Sequence, residues 1–109
     1  MARFMLLYNG PATDMSDMSE AQSNEVMAKW GAWMEKVGGA LVDMGAPMAT
    51  GTAVVDDGSD RAATQLNGYS IVEAPDLAAA KALTDGHPFL SDRTGEYSVE
   101  IFELMPVPM

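Results

Sequence analysis

The first strand limits the fold of this chain most strongly. After Arg3 the sequence is apolar through Tyr8, and Asn9-Gly10-Pro11 then closes the run with a turn signal. Because side chains of a strand alternate between two faces, this strand presents apolar groups on both. The helices of a small domain can cover only one face of a sheet. The pattern therefore predicts a second subunit on the other face, and we expect a homodimer.

A long amphipathic helix is predicted next. Ser19 and Gln22 have the spacing of a capping box, which satisfies free amides at a helix start. Gly38-Gly39 should end the helix. Apolar residues recur at steps of three and four, as is typical of one buried helix face, and they are Val26, Trp30, Trp33, Val37 and Leu41. We interpret both tryptophans as core residues.

The rest of the chain predicts short strands and a second helix. Asp76 is a favourable N-cap for a helix over Leu77 to Thr84, with Leu77, Ala80 and Leu83 facing one way. The predicted strands are Thr52 to Val55, Tyr69 to Glu73 and Tyr97 to Leu104, with a polar turn over Asp56 to Asp60. The predicted order is strand, helix, strand, strand, helix, strand. It indicates a single α+β domain over residues 1–109 with a ferredoxin-like βαββαβ fold, an antiparallel sheet with two helices on one face.

The only histidine of the chain stands at the end of the predicted second helix. His87 titrates near neutral pH and can move a proton, and Asp85 precedes it by two residues. Gly86 lets the chain turn between them, so we name His87 and Asp85 as candidate catalytic residues. The alternative is structural, because a histidine at a helix end can simply cap the last carbonyls of that helix.

Five further side chains could contact a ligand near this corner. Asp14 follows the first strand, whose end could meet the end of the second helix across a cleft. The other four side chains would supply hydrogen bonds or charge to a ligand. The candidate ligand-binding residues are Tyr8, Asn9, Asp14, Tyr69 and Arg93.

Charge and composition exclude several classes of function. With a net charge of −10 and 6 basic residues, the chain has no basic stripe for nucleic acid or for an anionic membrane surface. One histidine and no cysteine argue against a metal site rich in those ligands. Glycine-rich phosphate loops are absent from the sequence, so no cofactor is expected. The cytoplasm is the default location for such a chain.

Several segments, taken in order, resemble the YCII-related proteins and their DGPF-type relatives. They are Phe4 to Tyr8, Met34 to Gly45 with Ala46-Pro47, Gly68 to Ala74, Asp85 to Leu90, and Val99 to Pro106. The resemblance implies a ferredoxin-like fold that dimerises as an α+β barrel, often with a cleft between helices and sheet. It also implies proton transfer or elimination on small cyclic compounds in some members.

The proposed site of that family pairs a histidine near the first helix with an aspartate before a Pro-aromatic step. Here Gln22, Ser23 and Asn24 occupy the first region, and His87 precedes Pro88. The pair is therefore not reproduced in this chain.

Three functional hypotheses follow from these observations. In the first, the protein binds a small metabolite in a cleft near His87, with or without acid–base chemistry of the isomerase or lyase type. In the second, it is a non-catalytic metabolite-binding or accessory dimeric module. A cofactor-free monooxygenase is a third hypothesis, since Trp30 and Trp33 could shelter an aromatic substrate, but nothing in the sequence requires it.

Overall fold

A computed structural model describes residues 1–11, 19–91 and 93–107 of the chain. Its strands are β1 Ala2–Asn9, β2 Leu41–Asp43, β3 Thr52–Val54, β4 Asp60–Ala62, β5 Leu66–Ala74 and β6 Ser98–Leu104. Its helices are α1 Glu20–Val37 and α2 Leu77–Leu83, and short 3₁₀ turns cover Gly38–Ala40 and Pro88–Leu90. The predicted α+β class is confirmed.

The main sheet has the strand order β2-β5-β1-β6, and each neighbouring pair is antiparallel. β1 is central and pairs along its length with β5 and β6, as in the alignment of Leu6 with both Ser70 and Ile101. A strand between two others has its backbone groups bonded on both sides. β1 is therefore an interior strand of the sheet, with no free edge along its length.

The core lies between the sheet and the two helices. Alternate residues of β1 point into it, so that Phe4, Leu6 and Tyr8 are buried. β5 adds Val72 and Ala74, and the helices add Trp33, Val37 and Ala80. The interpretation of Trp33 as a core residue holds, while Trp30 is half-buried and packs against the same cluster.

Local signals at the helix ends behave as predicted. Ser19 accepts a hydrogen bond from the Gln22 amide, and the Gln22 side chain accepts one from the Ser19 amide, which completes the capping box. α1 ends at Gly38, whose φ is 58°. Asp76 caps α2 by accepting from the amide of Ala79 at 2.8 Å.

The strand predicted over Thr52 to Val55 is present, but its place in the main sheet and the helical assignment of Leu41 were wrong. Thr52–Val54 pairs with Asp60–Ala62 in a separate two-stranded hairpin and does not join the main sheet. The second strand of the main sheet is Leu41–Asp43, so Leu41 pairs with Val72 and does not continue the face of α1. The two glycines after Val37 end α1 before Leu41. Leu41 is therefore free to pair with Val72, although its spacing fits the apolar face of the helix.

One side chain of α2 also differs from the prediction. Ala80 is buried and Leu83 is half-buried, but Leu77 is 56% exposed. In the part of the chain that the structure describes, no helix combines the length and apolarity that crossing a bilayer requires.

Gly45 provides a test of how β2 is held against β5. Its φ is +75°, and a Cβ there would lie 1.7 Å from the carbonyl oxygen of Tyr69. We expect Gly45→Ala to lower the free energy of unfolding by more than about 2 kcal/mol, because both the backbone conformation and the neighbouring strand oppose a methyl group. Urea unfolding followed by circular dichroism measures the change.

Gly39→Ala is the matched control. Gly39 has no atom within 4 Å of an added Cβ and has no left-handed conformation. We expect a change within about 1 kcal/mol for this variant. Equal losses in the two variants would contradict the assignment of Gly45 as a close-packing position.

Candidate functional site around His87

His87 sits in the turn that joins α2 to the 3₁₀ turn Pro88–Leu90. Gly86 allows that turn through its φ of +79°, a conformation that favours glycine. Pro88 then restricts His87 to an extended backbone, with φ −63° and ψ 137°. In this conformation the His87 side chain folds back, and its Nδ1 accepts a hydrogen bond from the Phe89 amide at 3.1 Å.

That hydrogen bond determines the form of the imidazole. A nitrogen that accepts an N–H cannot carry a proton, so the proton of neutral His87 is on Nε2. Nε2 is buried and has no hydrogen-bond partner among the described residues. A buried donor without a partner is unfavourable by about 1–3 kcal/mol, and such groups are rare in folded proteins.

Aromatic rings from two elements surround this imidazole. The His87 ring centroid lies 4.8 Å from Tyr8 of β1, and 4.8 Å and 4.4 Å from Trp30 and Trp33 of α1. Phe89 stacks on Tyr8 at 5.0 Å. We call Tyr8, Trp30, Trp33 and Phe89 the aromatic cage. The face of an aromatic ring is only a weak hydrogen-bond acceptor, so the cage does not replace a conventional acceptor for His87 Nε2–H.

Hydrogen bonds hold the cage in position. Trp33 Nε1 donates to the carbonyl of Leu83 at 2.8 Å, which ties α1 to the end of α2. Tyr8 donates to Ser70 Oγ at 2.6 Å, and Ser70 in turn donates to the Met44 carbonyl at 2.8 Å. These bonds fix the positions of the Trp33 and Tyr8 rings in the cage.

Burial changes the protonation of the two titratable groups here. Burial lowers the pKa of the His87 imidazole from 6.5 to about 4. It raises the pKa of Tyr8 to about 12, although the hydrogen bond with Ser70 acts in the opposite direction. Both side chains are therefore neutral at pH 7, and His87 can offer a hydrogen bond but carries no positive charge.

An open cleft of about 530 Å³ adjoins His87. This volume suits a small molecule. The cleft is lined by Lys81, Thr84, Asp85, Gly86, His87, Leu90, Ser91 and Arg93. A second depression of about 350 Å³ lies at Met1, Ala40 and Leu83, but its lining is mainly apolar and it lacks a histidine. The chemistry favours the cleft beside His87.

The two predicted catalytic residues do not form a hydrogen-bonded pair. Asp85 has a side chain that is 91% exposed, and its carboxylate lies 3.7 Å from Lys36 Nζ. His87, by contrast, is only 1% exposed. Both residues nevertheless line the same cleft.

The predicted ligand-binding residues are spread over several places. Tyr8 contacts His87, and Arg93 is exposed at the cleft. Asn9 ends β1, and its Nδ2 is buried without a partner in the described part of the chain. Tyr69 alternates with buried Gly68 and Ser70 and so lies on the opposite face of the sheet. Asp14 lies outside the described residues.

The predicted capping role of His87 takes a different form in the structure. His87 accepts at the start of the 3₁₀ turn and does not donate to the last carbonyls of α2. The carbonyl of Leu83, the last residue of α2, accepts from Trp33 instead, and the carbonyl of Asp85 in the following turn accepts from Lys36. His87 therefore caps the start of the following 3₁₀ turn, and the prediction that it caps the end of α2 was wrong.

Two contributors to the site were not recognised in the sequence. Ser70 holds Tyr8, and the signal was a polar residue at a buried position of the alternating strand β5. Phe89 completes the cage, but its sequence position next to Pro88 marked it only as part of a turn.

The fold and the site together define a small α+β protein with a buried neutral histidine at the edge of an open cleft. The sequence matches the YCII-related domain over residues 1–105, so the chain belongs to the YCII-related family. No match was found among the curated proteins.

The lowered pKa of His87 gives a pH dependence of stability. Below pH 6.5 the His87 imidazole binds a proton in the unfolded chain, whereas in the folded protein it stays neutral down to about pH 4. Stability is therefore complete above pH 6.5 and is lost as pH falls towards 4, by about 2 kcal/mol between pH 7 and pH 5. Urea unfolding at pH 7, 6 and 5 measures this loss.

His87→Asn is the matched control for that measurement. Asparagine at this position can still accept from the Phe89 amide as an N-cap, but it does not titrate. We expect the slope of unfolding free energy against pH to flatten between pH 5 and 6.5 in this variant. An unchanged slope would show that the acid sensitivity comes from carboxylates and not from His87.

Proposed function

We propose that this protein binds a small metabolite in the cleft beside His87, and that His87 Nε2–H donates a hydrogen bond to an oxygen of the ligand. The single observation that carries this proposal is the buried Nε2 without a partner. Because Nε2 is buried, a ligand oxygen would reach it only when side chains of the cleft wall move aside, and it would then supply the missing acceptor and recover the free energy that the unsatisfied donor costs. The body of the ligand would pack against Leu90, the large apolar side chain of the cleft lining, since none of the four cage residues lines the cleft.

The form of His87 limits what chemistry it can perform. As a neutral donor it can polarise a carbonyl or stabilise an enolate oxygen, a role that a neutral imidazole performs well. To accept a proton at Nε2 it would have to move its own proton to Nδ1 and lose the bond from Phe89. His87 therefore suits the role of electrophile better than that of general base.

Isomerase or lyase chemistry is the second candidate function, and Asp85 favours it. Asp85 is the only carboxylate among the described residues that line the cleft. In such a step, Asp85 would take the proton from a carbon next to a carbonyl, and the electron pair would move to the oxygen held by His87. Because the Asp85 side chain is 91% exposed and its carboxylate lies 3.7 Å from Lys36 Nζ, binding without turnover is the primary proposal.

We also propose that the protein forms a homodimer through the face of the sheet opposite the helices. Charged Arg3, Glu73 and Glu100 lie on this face among a larger apolar group from β1, β5 and β6, which consists of Met5, Leu7, Ile71, Phe102 and Leu104. Phe102 and Leu104 are 51% and 40% exposed. Covering such a surface with a second copy removes it from water. A cytoplasmic location and the lack of a nucleic-acid partner stay predictions.

The binding proposal can be tested at the single histidine. ¹⁵N NMR of the imidazole at pH 7 should show protonated Nε2 and free Nδ1, and the Nε2 resonance should shift when acetophenone, a small aromatic ketone, is added. Trp30 and Trp33 flank His87, so tryptophan fluorescence should report the same saturation curve.

His87→Asn should bind the ketone at least about fivefold more weakly, because it keeps the turn but lacks the Nε2 donor. Its amide NMR spectrum should show that the fold is retained. A tautomer with the proton on Nδ1, or equal affinity in the variant, would refute the donor role.

The dimer predicts a strong effect of charge at Phe102. Phe102→Glu would bury a carboxylate in the interface, so we expect a monomer at micromolar concentration in analytical ultracentrifugation. Leu77→Glu is the matched control, since Leu77 is 56% exposed but lies on α2. It should leave the sedimentation coefficient at the dimer value. A wild-type protein that sediments as a compact monomer would disprove the homodimer.

A further inference from the structure

We infer that the ligand of the cleft beside His87 is a small organic acid whose carboxylate lies between Lys81 and Arg93. This inference rests on the proposed function, because it names the chemical class of the ligand for the same cleft. Four observations carry it: the distribution of basic residues, the use of backbone amides, the carbonyls at the end of α2, and the conformation of Arg93.

The basic residues of the chain are few, and two of them line this cleft. The net charge is −10, and Lys81 and Arg93 are two of 6 basic residues. Neither forms a salt bridge within the described residues, whereas Arg3, Lys29 and Lys36 each have a carboxylate partner. The one carboxylate in the described lining, that of Asp85, lies 3.7 Å from Lys36 Nζ, so the two unpaired cations leave the site with an excess of positive charge on an otherwise acidic protein.

The backbone around the cleft indicates a carboxylate and not a phosphate. Phosphate sites commonly use several free backbone amides as a cradle. Here nearly all amides of the turn already donate within the segment, and they are those of Thr84, Asp85, His87, Phe89, Leu90 and Ser91. Of this stretch only the Gly86 amide is without such a bond. An anion must therefore rely on side chains, and a guanidinium and an ammonium in the same cleft can bind a carboxylate without a cradle of backbone amides.

The end of α2 does not oppose an anion here as a free helix end would. Carbonyls at a helix C-terminus normally repel negative charge. Leu83 accepts from Trp33 Nε1, Thr84 accepts from the His87 amide, and Asp85 accepts from Lys36 Nζ. Since these carbonyls already have donors, much of their negative potential is neutralised at the edge of the cleft.

Arg93 also has an unusual backbone. Its φ is 56°, and it is the one residue other than glycine with a positive φ in the described ranges. This conformation is unfavourable for a residue with a Cβ and occurs often at ligand sites. The turn thus holds Arg93 beside the cleft in a conformation that is not the intrinsic preference of the residue.

In the bound geometry that we infer, each end of the ligand contacts a different kind of group. The carboxylate faces the cations at the solvent side, and a second oxygen accepts from His87 Nε2–H at the buried side. An oxo acid with an unsaturated or ring body between the two ends matches this arrangement, and that body would pack against Leu90.

Four small probes separate the alternatives: benzoate, benzamide, acetophenone and inorganic phosphate. Benzoate and benzamide have nearly the same shape but differ in charge. At pH 7 and low salt, we expect benzoate to shift the His87 imidazole resonances with a Kd at least tenfold lower than that of benzamide. The affinity for benzoate should fall as sodium chloride is raised, because exposed charges are screened.

Variants of two arginines give the matched comparison. Arg93→Gln removes a cation from the cleft, and Arg61→Gln removes one from β4, away from it. We expect Arg93→Gln to weaken benzoate binding about fivefold and Arg61→Gln to leave it unchanged. Lys81→Gln should behave like Arg93→Gln. All of these side chains are exposed, so the variants should fold.

The outcomes distinguish this inference from the proposed function. Equal binding of benzoate and benzamide, tighter binding of phosphate, or equal losses in Arg93→Gln and Arg61→Gln would overturn the organic-acid assignment. If acetophenone still shifts the Nε2 resonance in that case, the proposed function stands without it. If no probe shifts that resonance, both are refuted.

Discussion

The burial of one neutral imidazole between the first strand and the first helix is the interaction on which the site depends. His87 packs against Tyr8, Trp30 and Trp33 with ring centroids 4.4–4.8 Å apart. β1, α1 and the turn after α2 meet only if that ring is uncharged, because a buried imidazolium would need a counter-charge. No carboxylate hydrogen-bonds to it among the described residues, and the low pKa follows from that packing.

The same packing assigns different tasks to different side chains. Deep in the site, His87 can only donate, since its acceptor nitrogen is used by Phe89. Charge is available only at the exposed side of the cleft, where Lys81, Asp85 and Arg93 lie. A ligand that satisfies both parts must be polar at two separated ends. This requirement comes from the geometry of the turn and does not depend on whether a reaction follows.

Local signals predicted much of the fold but little of the site. The capping box at Ser19 and the cap at Asp76 act over three residues, so the sequence alone reveals them. The pairing of Leu41 with Val72 is a long-range contact that helical spacing concealed. The tautomer of His87 was also beyond prediction, because it depends on burial by rings distant in sequence. His87 could thus be located as a candidate, but its role could not be assigned.

β1 connects the two surfaces that we propose to be functional. Tyr8 is part of the aromatic cage, and its neighbour Leu7 points to the open face of the sheet. A partner subunit on that face would cover Leu7 and Phe102 without entering the cleft, since strand alternation keeps the two surfaces apart. The partner subunit would also restrict movement of β1, and thereby the position of Tyr8 in the cage. The two faces of β1 are therefore apolar for separate reasons: one packs in the core of the domain, and the other would be covered by the partner subunit that we propose.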